Sequence, residues 1–370
     1  MGLIFWMQQQ KQNFFKQPTL ATPKTTMSSK SSEAIPIKVV VRVRPILASK
    51  GEEDKGINEY VTVDSEHQQL TTGFGQRAKK QTFTSTFGPS TTQENFYEAV
   101  GAPALEDVWQ GINATVLAYG PSGSGKRFTT FGTPGEEGLI PRIATQLFQR
   151  LESKSSESSF RVEFSLFESY CENFNDLLTP ERRSLPLTHI SGVGHHAKQL
   201  TRCPVENYAT LQTLLDAALD ARALTSITTN SDSTQAHTFF QLDVTRTSVD
   251  PTTMKAAETT ATLLVADLGD AGGGASERAA EATVLNSPGD SHAALRSAVK
   301  FLLKSSRLTG AKQRTGMDNV LGRSQLTQIL RNSLSGDTRT TLIVALPPTD
   351  VDKDTTDHTL AFAKQFGRLR

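Results

Sequence analysis

The fold is decided by the stretch Gly120-Pro121-Ser122-Gly123-Ser124-Gly125-Lys126-Arg127. This stretch matches the phosphate-binding loop G-x-x-x-x-G-K-[S/T] at every position except the last, where Arg127 replaces Ser or Thr. The apolar run 115–119 before the loop predicts a buried strand, and the residues after it predict a helix. The loop therefore has the strand, loop and helix setting that the motif requires. A tight glycine-rich turn that holds no nucleotide is the alternative.

The replacement of Ser or Thr by Arg127 affects how the loop can bind a nucleotide and a metal ion. Backbone amides of such a loop wrap phosphate groups, and Lys126 would pair with the terminal phosphates. The hydroxyl normally found after the lysine is a ligand of magnesium, whereas a guanidinium cannot ligate a cation. We therefore expect that ATP or ADP, if bound, is held independently of magnesium, and that hydrolysis is weak or absent.

From about residue 37 onward the chain resembles the kinesin motor domain. Arg42-Val43-Arg44-Pro45 is similar to the family's R-x-R-P, which packs beside adenine. Further partial matches follow in the family's order at 138–142 (G-I-I-P-R), 165–178 (S-Y-x-E-I-Y-N-E-x-x-x-D-L-L), 324–327 (S-K-L-T) and 359–363 (T-L-R-F-A). The resemblance implies an α/β P-loop NTPase, a three-layer sandwich whose central mixed, mostly parallel eight-stranded sheet is flanked by helices. It also implies a cytoplasmic protein of the microtubule cytoskeleton.

The motif with which the family senses the terminal phosphate, N-x-x-S-S-R-S-H, is altered. It reads Asn230-Ser231-Asp232-Ser233-Thr234-Gln235-Ala236-His237. Asn230, Ser233 and His237 are retained and Thr234 keeps a hydroxyl, but Gln235 replaces the Arg that closes a salt bridge in the family. Because an amide is not a cation, that bridge cannot form. A polar loop leading into a strand is the alternative interpretation.

The family's D-L-A-G-S-E is also altered, and reads Asp267-Leu268-Gly269-Asp270-Ala271-Gly272. Asp267 is retained. Without gaps, Asp270 stands where a Gly amide should meet the terminal phosphate, and Gly272 replaces the Glu of the salt bridge. A carboxylate about 4 Å from a phosphate oxygen is repelled by roughly 4 kcal/mol at an effective dielectric near 20. A slipped alignment onto 274–278 restores the Glu and stays open as an alternative.

Two unusual charges arise in these motifs. We therefore consider a direct ion pair between Arg127 and Asp270 in the metal position. The alternative is that each points separately to solvent.

The family presents Y-R-D-S-K-L-T-R to tubulin, and the corresponding segment 321–328 has lost three cations, at Gly322, Gln325 and Gln328. Basic residues nevertheless cluster in and before it: Lys300, Lys304, Arg307, Lys312, Arg314 and Arg323. The resemblance implies a weak, salt-sensitive grip on microtubules through this cluster. A solvated basic loop is the alternative.

Composition limits the other classes of function. The 370 residues carry a formal net charge of +1, which argues against a broad nucleic-acid surface. The polar segment 1–34 predicts a disordered arm, its apolar start being too short to span a membrane, and 35–370 predicts one motor domain. Cys171 and Cys203, without metal spacing, predict free thiols. No heptad stalk is visible, which predicts a monomer or a subunit of another assembly.

Strand patterns at 37–43, 115–119, 161–167, 239–244, 262–266 and 341–346 alternate with helical patterns at 94–100, 142–153, 208–223, 291–303 and 323–333. This alternation agrees with the implied sandwich. The sequence thus predicts a kinesin-like pseudoenzyme, a binding module whose activity as an enzyme is left open. An active microtubule motor with a divergent metal site and a nucleotide-free scaffold are the alternatives.

Overall fold

A mixed β-sheet forms the centre of the computed structural model, which describes residues 36–47, 58–153, 158–179, 181, 184–190, 194–229, 235–249, 256–270, 290–305 and 311–369. The strands are β1 (Lys38–Val43), β2 (Val61–Asp64), β3 (Gln69–Thr72), β4 (Lys79–Thr82), β5 (Ser85–Phe87), β6 (Ala114–Tyr119), β7 (Gly132–Thr133), β8 (Glu136–Glu137), β9 (Ser158–Tyr170), β10 (Asn173–Asp176), β11 (Leu187–Ile190), β12 (Gly194–Ala197), β13 (Cys203–Pro204), β14 (His237–Val249), β15 (Ala256–Asp267) and β16 (Arg339–Leu346).

The main sheet has the strand order β10-β9-β14-β15-β6-β16-β1-β5, and the short β13 pairs with β9 beside this path. Pairings among β5, β1, β16, β6 and β15 are parallel. Those that join β15, β14, β9 and β10 are antiparallel. The predicted mixed, mostly parallel eight-strand path is confirmed, with a ninth short strand at its side.

Helices cover both faces of this sheet. They are α1 (Gln93–Phe96), continued by a π-turn (Tyr97–Gly101) into α2 (Ala102–Trp109), then α3 (Lys126–Thr130), α4 (Leu139–Glu152), α5 (Tyr208–Thr229), α6 (Asp290–Ser305), α7 (Ala311–Leu321), α8 (Gln325–Ile329), α9 (Arg331–Ser335) and α10 (Lys353–Phe366). No helix in these ranges has the length and hydropathy needed to span a membrane.

The two faces follow from the alternation of buried side chains along the strands. In β1, Val39, Val41 and Val43 join a cluster with apolar residues of α6 and α10, whereas Val40 is buried outside that cluster. Successive side chains of a strand point to opposite faces. The other face is covered by α2, which packs on β6 and β15, and by α5, which packs on β9. The predicted three-layer sandwich is therefore confirmed.

Several predicted element boundaries differ from the structure; the helix predicted at 94–100, for example, continues through a π-turn to Trp109. The predicted helix 323–333 is two short helices, because the chain leaves helical geometry at Leu330 between α8 and α9. The strands predicted at 239–244 and 262–266 are the inner parts of β14 and β15, which pair over their whole length from Thr238 with Asp267 to Val249 with Ala256. Threonine-rich exposed ends extend this hairpin beyond the apolar pattern that marked it.

Candidate functional site: a glycine-rich loop with internal ion pairs

Sheet direction brings the three altered motifs to one edge. Parallel strands β1, β6 and β15 end at the same edge of the sheet, so Arg44, the glycine-rich loop and Asp267 lie along that edge, with β16 between β1 and β6. β14 runs antiparallel to β15 and therefore begins there, with Thr238 in register with Asp267. Glu168 near the end of β9 is in register with Thr238. This edge is the usual place for ligands in such sheets.

The backbone of the loop requires glycine at defined points. A Cβ on Gly120 would lie 2.2 Å from the carbonyl oxygen of Ala345 on the neighbouring strand. Gly125, which precedes α3, has a φ of 95° in the left-handed region. Ser124 is buried, and its Oγ has no hydrogen-bond partner among the described residues. The sequence motif therefore forms the tight loop predicted for it.

Lys126 points into the loop and is buried at 7% exposure. Its Nζ donates to the carbonyl oxygens of Gly120 and Pro121 and to Oδ1 of Asp270, each at 2.9 Å. Asp270 thus lies beside the lysine, where the ungapped alignment places it. The slipped alternative, 274–278, lies outside the described residues, as does Gly272.

The hypothesis of a direct ion pair between Arg127 and Asp270 is wrong. Arg127 Nε lies 3.7 Å from Oδ2 of Asp267 instead. The preceding residue, Lys126, takes Asp270 as its partner. Adjacent residues at the start of a helix point in different directions, so the lysine faces inward while Arg127 is half exposed at 53%.

Asp267 is almost wholly enclosed. Burial raises the pKa of its carboxyl group, while Lys126, Arg127 and Arg222 act in the opposite direction. Oδ1 of Asp267 has no hydrogen-bond partner in the part of the chain that the structure describes. Its other oxygen faces the guanidinium of Arg127, which therefore acts as its local cation.

These residues do not fit a magnesium ion. The hydroxyl position holds the guanidinium of Arg127, which faces the retained Asp267. The loop and Lys126 do fit phosphate groups in type, because the loop supplies amides and the lysine supplies a cation.

Two buried histidines hold the peptide groups that precede Asp270. The amide of Gly269 donates to Nδ1 of His237 at 3.0 Å, so the proton of that ring lies on Nε2, 2.8 Å from Oγ of Ser291. Nε2 of His292 donates to the carbonyl oxygen of Gly269 at 2.9 Å. Burial lowers the pKa of His237 to about 3 and that of His292 well below its usual range, so both rings are neutral.

Gly269 also permits a close backbone contact. A Cβ at this position would lie 2.3 Å from the carbonyl oxygen of Gln235. Gln235 stands where the family has its salt-bridge Arg, and Gly269 stands where the family has Ala. The two altered motifs therefore touch through their backbones. Asn230, Ser233 and Thr234 lie outside the described residues.

A third buried ion pair lies at the same edge. Nε of Arg222, on α5, donates to Oε2 of Glu168 at 2.7 Å, and both side chains are at most 10% exposed. Sequence reasoning missed Arg222. It stands in the run Asp220-Ala221-Arg222-Ala223, where nothing distinguishes it from a solvated arginine. Ser291 and His292, which begin α6, were missed for the same reason.

The two arginines of R-x-R-P occupy different environments. Arg42 is buried and its Nη1 donates to Oε1 of Gln93 at 2.8 Å and to Oγ1 of Thr129 at 3.1 Å. Its guanidinium carbon lies 4.5 Å from the centre of the Phe96 ring, and burial lowers its pKa to about 10. Arg42 therefore anchors α1 to α3 from inside.

Arg44 lies at the loop. Its Nε donates to the carbonyl oxygen of Gly123 at 2.7 Å. Pro45 and Ile46 next to it are exposed apolar residues. The predicted contact of the R-x-R-P residues Arg44 and Pro45 with a nucleotide base stays a prediction.

The basic cluster is partly described. Lys300 and Lys304, one helical turn apart on α6, and Arg323 are exposed. Arg307 lies outside the described residues, and the side chains of Lys312 and Arg314 on α7 are not described. Gln328, at one of the lost cations, donates back to the carbonyl oxygen of Gly322 at 3.0 Å. At least one polar side chain of the segment 321–328, that of Gln328, is therefore hydrogen-bonded to the segment's own backbone.

The sheet topology and the glycine-rich loop define a P-loop fold of the α/β class. A family model of the kinesin motor domain matches residues 42–369. The chain belongs to the kinesin motor domain family.

Individual relatives agree with this assignment. The chain is 28% identical over 352 residues to human kinesin-like protein KIF1C, covering 90% of this chain and 31% of that protein. It is 30% identical over 345 residues to the kinesin heavy chain of Botryotinia fuckeliana, covering 90% and 37%. A solved structure of a fast kinesin superposes with a TM-score of 0.79 at 27% identity, covering 91% of this chain and 93% of that one. The chain spans about a third of the length of these curated relatives.

Proposed function

We propose that this motor domain is impaired in ATP hydrolysis and acts as a microtubule- or partner-binding module of the cytoskeleton. The observation that carries the proposal is the guanidinium of Arg127, 3.7 Å from Asp267 in the region where the family places its metal. A cation fixed to the protein neutralises Asp267 but cannot bridge phosphate oxygens as magnesium does while the bond breaks. The altered Gln235 and Asp270 support the same conclusion.

Nucleotide binding under this proposal does not depend on magnesium. The loop amides hold the phosphates of ADP, with Lys126 beside them, and the charge of the bound phosphates is balanced by nearby arginine and lysine side chains. We expect ADP to bind more tightly than ATP, because Asp270 carries its negative charge at the end of the loop where a terminal phosphate would lie.

Calorimetry tests this directly, with ADP and ATP, each with and without magnesium, on the wild type and on Arg127→Thr. We expect magnesium dependence only in Arg127→Thr, which restores the family's hydroxyl. Arg161→Thr is the matched control, since Arg161 is a half-exposed arginine beside Glu163. Magnesium-dependent, microtubule-stimulated ATP turnover by the wild type would contradict the proposal and establish an active motor.

Microtubule binding is proposed through the exposed lysines of α6 together with Arg323. With three of the family's cations absent from 321–328, the remaining attraction is weak and is screened within about 8 Å at physiological salt. Co-sedimentation with microtubules should fall when Lys300 and Lys304 are both changed to Ala. The control is the same change at Lys79 and Lys80, exposed lysines of β4. Salt-independent binding would contradict an electrostatic grip.

A nucleotide-free scaffold is the second candidate, because Lys126 already has three protein acceptors. Thermal stabilisation separates the two. A shift of Tm by ADP supports the nucleotide-binding module, and no shift by either ADP or ATP supports the scaffold.

A further inference from the structure

Three cations at the edge that carries the glycine-rich loop already have carboxylate partners within the protein. Three cations, Lys126, Arg127 and Arg222, face three carboxylates, Asp270, Asp267 and Glu168, at 2.9, 3.7 and 2.7 Å respectively. Their formal charges sum to zero. A loop that accepts phosphate ordinarily offers net positive charge. Here an anion that is to pair with Lys126 must first displace Asp270.

The pair that stands in the way is Lys126 with Asp270. An ammonium group has three donors, and those of Lys126 are all directed to acceptors, two loop carbonyls and Oδ1 of Asp270. The two carbonyls belong to Gly120 and Pro121, which shape the loop itself. Asp270 is therefore the partner that a phosphate oxygen can replace without rebuilding the loop.

Asp270 is held in this position by its own backbone. The preceding residue, Gly269, is bound through its amide by His237 and through its carbonyl by His292. On its remaining side the backbone of Gln235 leaves no room for a Cβ. The carboxylate therefore starts from a fixed peptide and is only 18% exposed.

We infer that Asp270 is a built-in competitor of the terminal phosphate, an internal anion that occupies Lys126 and selects a nucleoside diphosphate against a triphosphate. The inference rests on the proposed function, which makes this loop a nucleotide site. A diphosphate can use the loop amides while the Lys126–Asp270 pair stays closed. A triphosphate requires that pair to open and places its last phosphate against the carboxylate.

Asp270→Asn removes the charge and keeps the shape. Calorimetry with ATP and with ADP, both in magnesium-free buffer containing a chelator, should show an ATP affinity at least tenfold higher than in the wild type and a smaller gain for ADP. Asp318→Asn is the matched control, because Asp318 is an exposed aspartate paired with Arg331. The control should leave both affinities unchanged.

Equal gains for ADP and ATP, or no gain for ATP, would overturn the inference and leave the impaired-ATPase proposal standing. The absence of binding by both proteins would also overturn it, in favour of the scaffold. Magnesium-dependent hydrolysis by the wild type, in contrast, contradicts the proposed function whatever Asp270→Asn does.

Thermal unfolding tests the pair without any nucleotide. Asp270→Asn leaves a buried ammonium short of its charged partner and should lower Tm, whereas Lys126→Met with Asp270→Asn removes both charges and should regain part of the loss. Additive changes of Tm in the cycle formed by the two single variants and the double variant would overturn the pairing. If Asp270→Asn does not fold, recovery of folding by the double variant is the supporting result, and failure of the double variant counts against it.

Discussion

Two buried cations, Arg42 beside the helix that follows the glycine-rich loop and Lys126 in the loop itself, are held in opposite ways. The Arg42 cluster consists of Arg42 with Thr91, Gln93 and Thr129, all of them neutral acceptors, and the guanidinium also lies over the ring of Phe96. The Lys126 cluster consists of Lys126 with two loop carbonyls and the carboxylate of Asp270. The first cluster joins structural elements through neutral acceptors, whereas the second contains a charged partner, which we propose a triphosphate would have to displace.

Comparison of the two clusters shows how residues of a binding site can differ from the family's while the fold is kept. The residues of the Arg42 cluster connect α1 and α3 to β1, so their loss would expose a buried cation or leave buried acceptors unpaired. In the second cluster Lys126 and Asp270 form an ion pair, and we infer that Asp270 takes the place of a ligand's phosphate. Arg42 of the first cluster lies in the retained motif R-x-R-P, whereas Lys126 and Asp270 of the second cluster lie in altered motifs.

Arg42→Met should give the largest effect. The change keeps most of the packing but leaves Oε1 of Gln93 and Oγ1 of Thr129 without their buried donor, and we expect the free energy of unfolding to fall by about 3 kcal/mol. Urea unfolding measures it. Arg161→Met, at a half-exposed ion pair, is the control and should cost under about 1 kcal/mol. Equal losses in the two variants would show that the Arg42 cluster is not the stronger anchor.

Gly269→Ala tests the close backbone contact between Gly269 and Gln235, next to Asp270 of the Lys126 cluster. The added methyl group would meet the carbonyl oxygen of Gln235 at 2.3 Å, and since that atom belongs to the backbone we expect a loss of about 2 kcal/mol. Gly88→Ala is the control, because its Cβ would find ordinary contact at 3.7 Å from Val63. A stability equal to the wild type would mean that the Gln235 segment can move away at little cost.

His292→Gln tests how the ring of His292, which binds Gly269 next to the Lys126 cluster, makes stability depend on pH. The folded pKa of His292 lies well below the ordinary 6.5, so the unfolded chain binds more protons below that pH. The stability that the neutral ring contributes is complete above pH 6.5 and is lost as the pH falls below it, by up to about 1.4 kcal/mol per pH unit. His237 adds a loss of the same sign, from 6.5 down to its folded value of about 3.

Gln keeps the donor to Gly269 and does not titrate. The stability of His292→Gln, measured by urea unfolding between pH 5 and 7.5, should therefore depend less steeply on pH than that of the wild type. Parallel curves for the two proteins would show that His292 does not carry the dependence.

Two hydroxyl deletions give the smallest effects and compare the Arg42 cluster with the glycine-rich loop. Thr129→Val removes an acceptor of Arg42 and should cost about 1 kcal/mol. Ser124→Ala removes a buried hydroxyl that has no partner in the described part of the chain, so its cost should be close to zero. Both are measured by thermal unfolding without nucleotide. A larger loss for Ser124→Ala than for Thr129→Val would reverse the comparison.

Sequence reasoning was sufficient for the sheet and the loop but not for the ion pairs. The glycine spacing of 120–126 and the apolar run before it predict the loop from adjacent residues alone. The family's motifs extend the prediction along the chain. The partner of Asp270 depends instead on which of two adjacent cations turns inward at the start of α3. That direction is set by helix geometry and burial, and the sequence alone left it open.

Long-range polar contacts were beyond the sequence for a related reason. Arg222 meets Glu168 from 54 positions away, and His292 meets the carbonyl of Gly269 from 23 positions away. Each residue is unremarkable among its sequence neighbours. Only the register of β9 and β14 and the packing of α5 and α6 bring these groups to the loop.

The close approach of Gln235 to Gly269 makes a return to the family's sequence difficult one residue at a time. Introducing Ala at 269 first would push against the carbonyl oxygen of Gln235. Introducing Gly at 270 first would leave Lys126 without its counter-charge. We expect each single change to lower stability, so the family's residues at 269 and 270 can be introduced only together with changes in the segments that contact them.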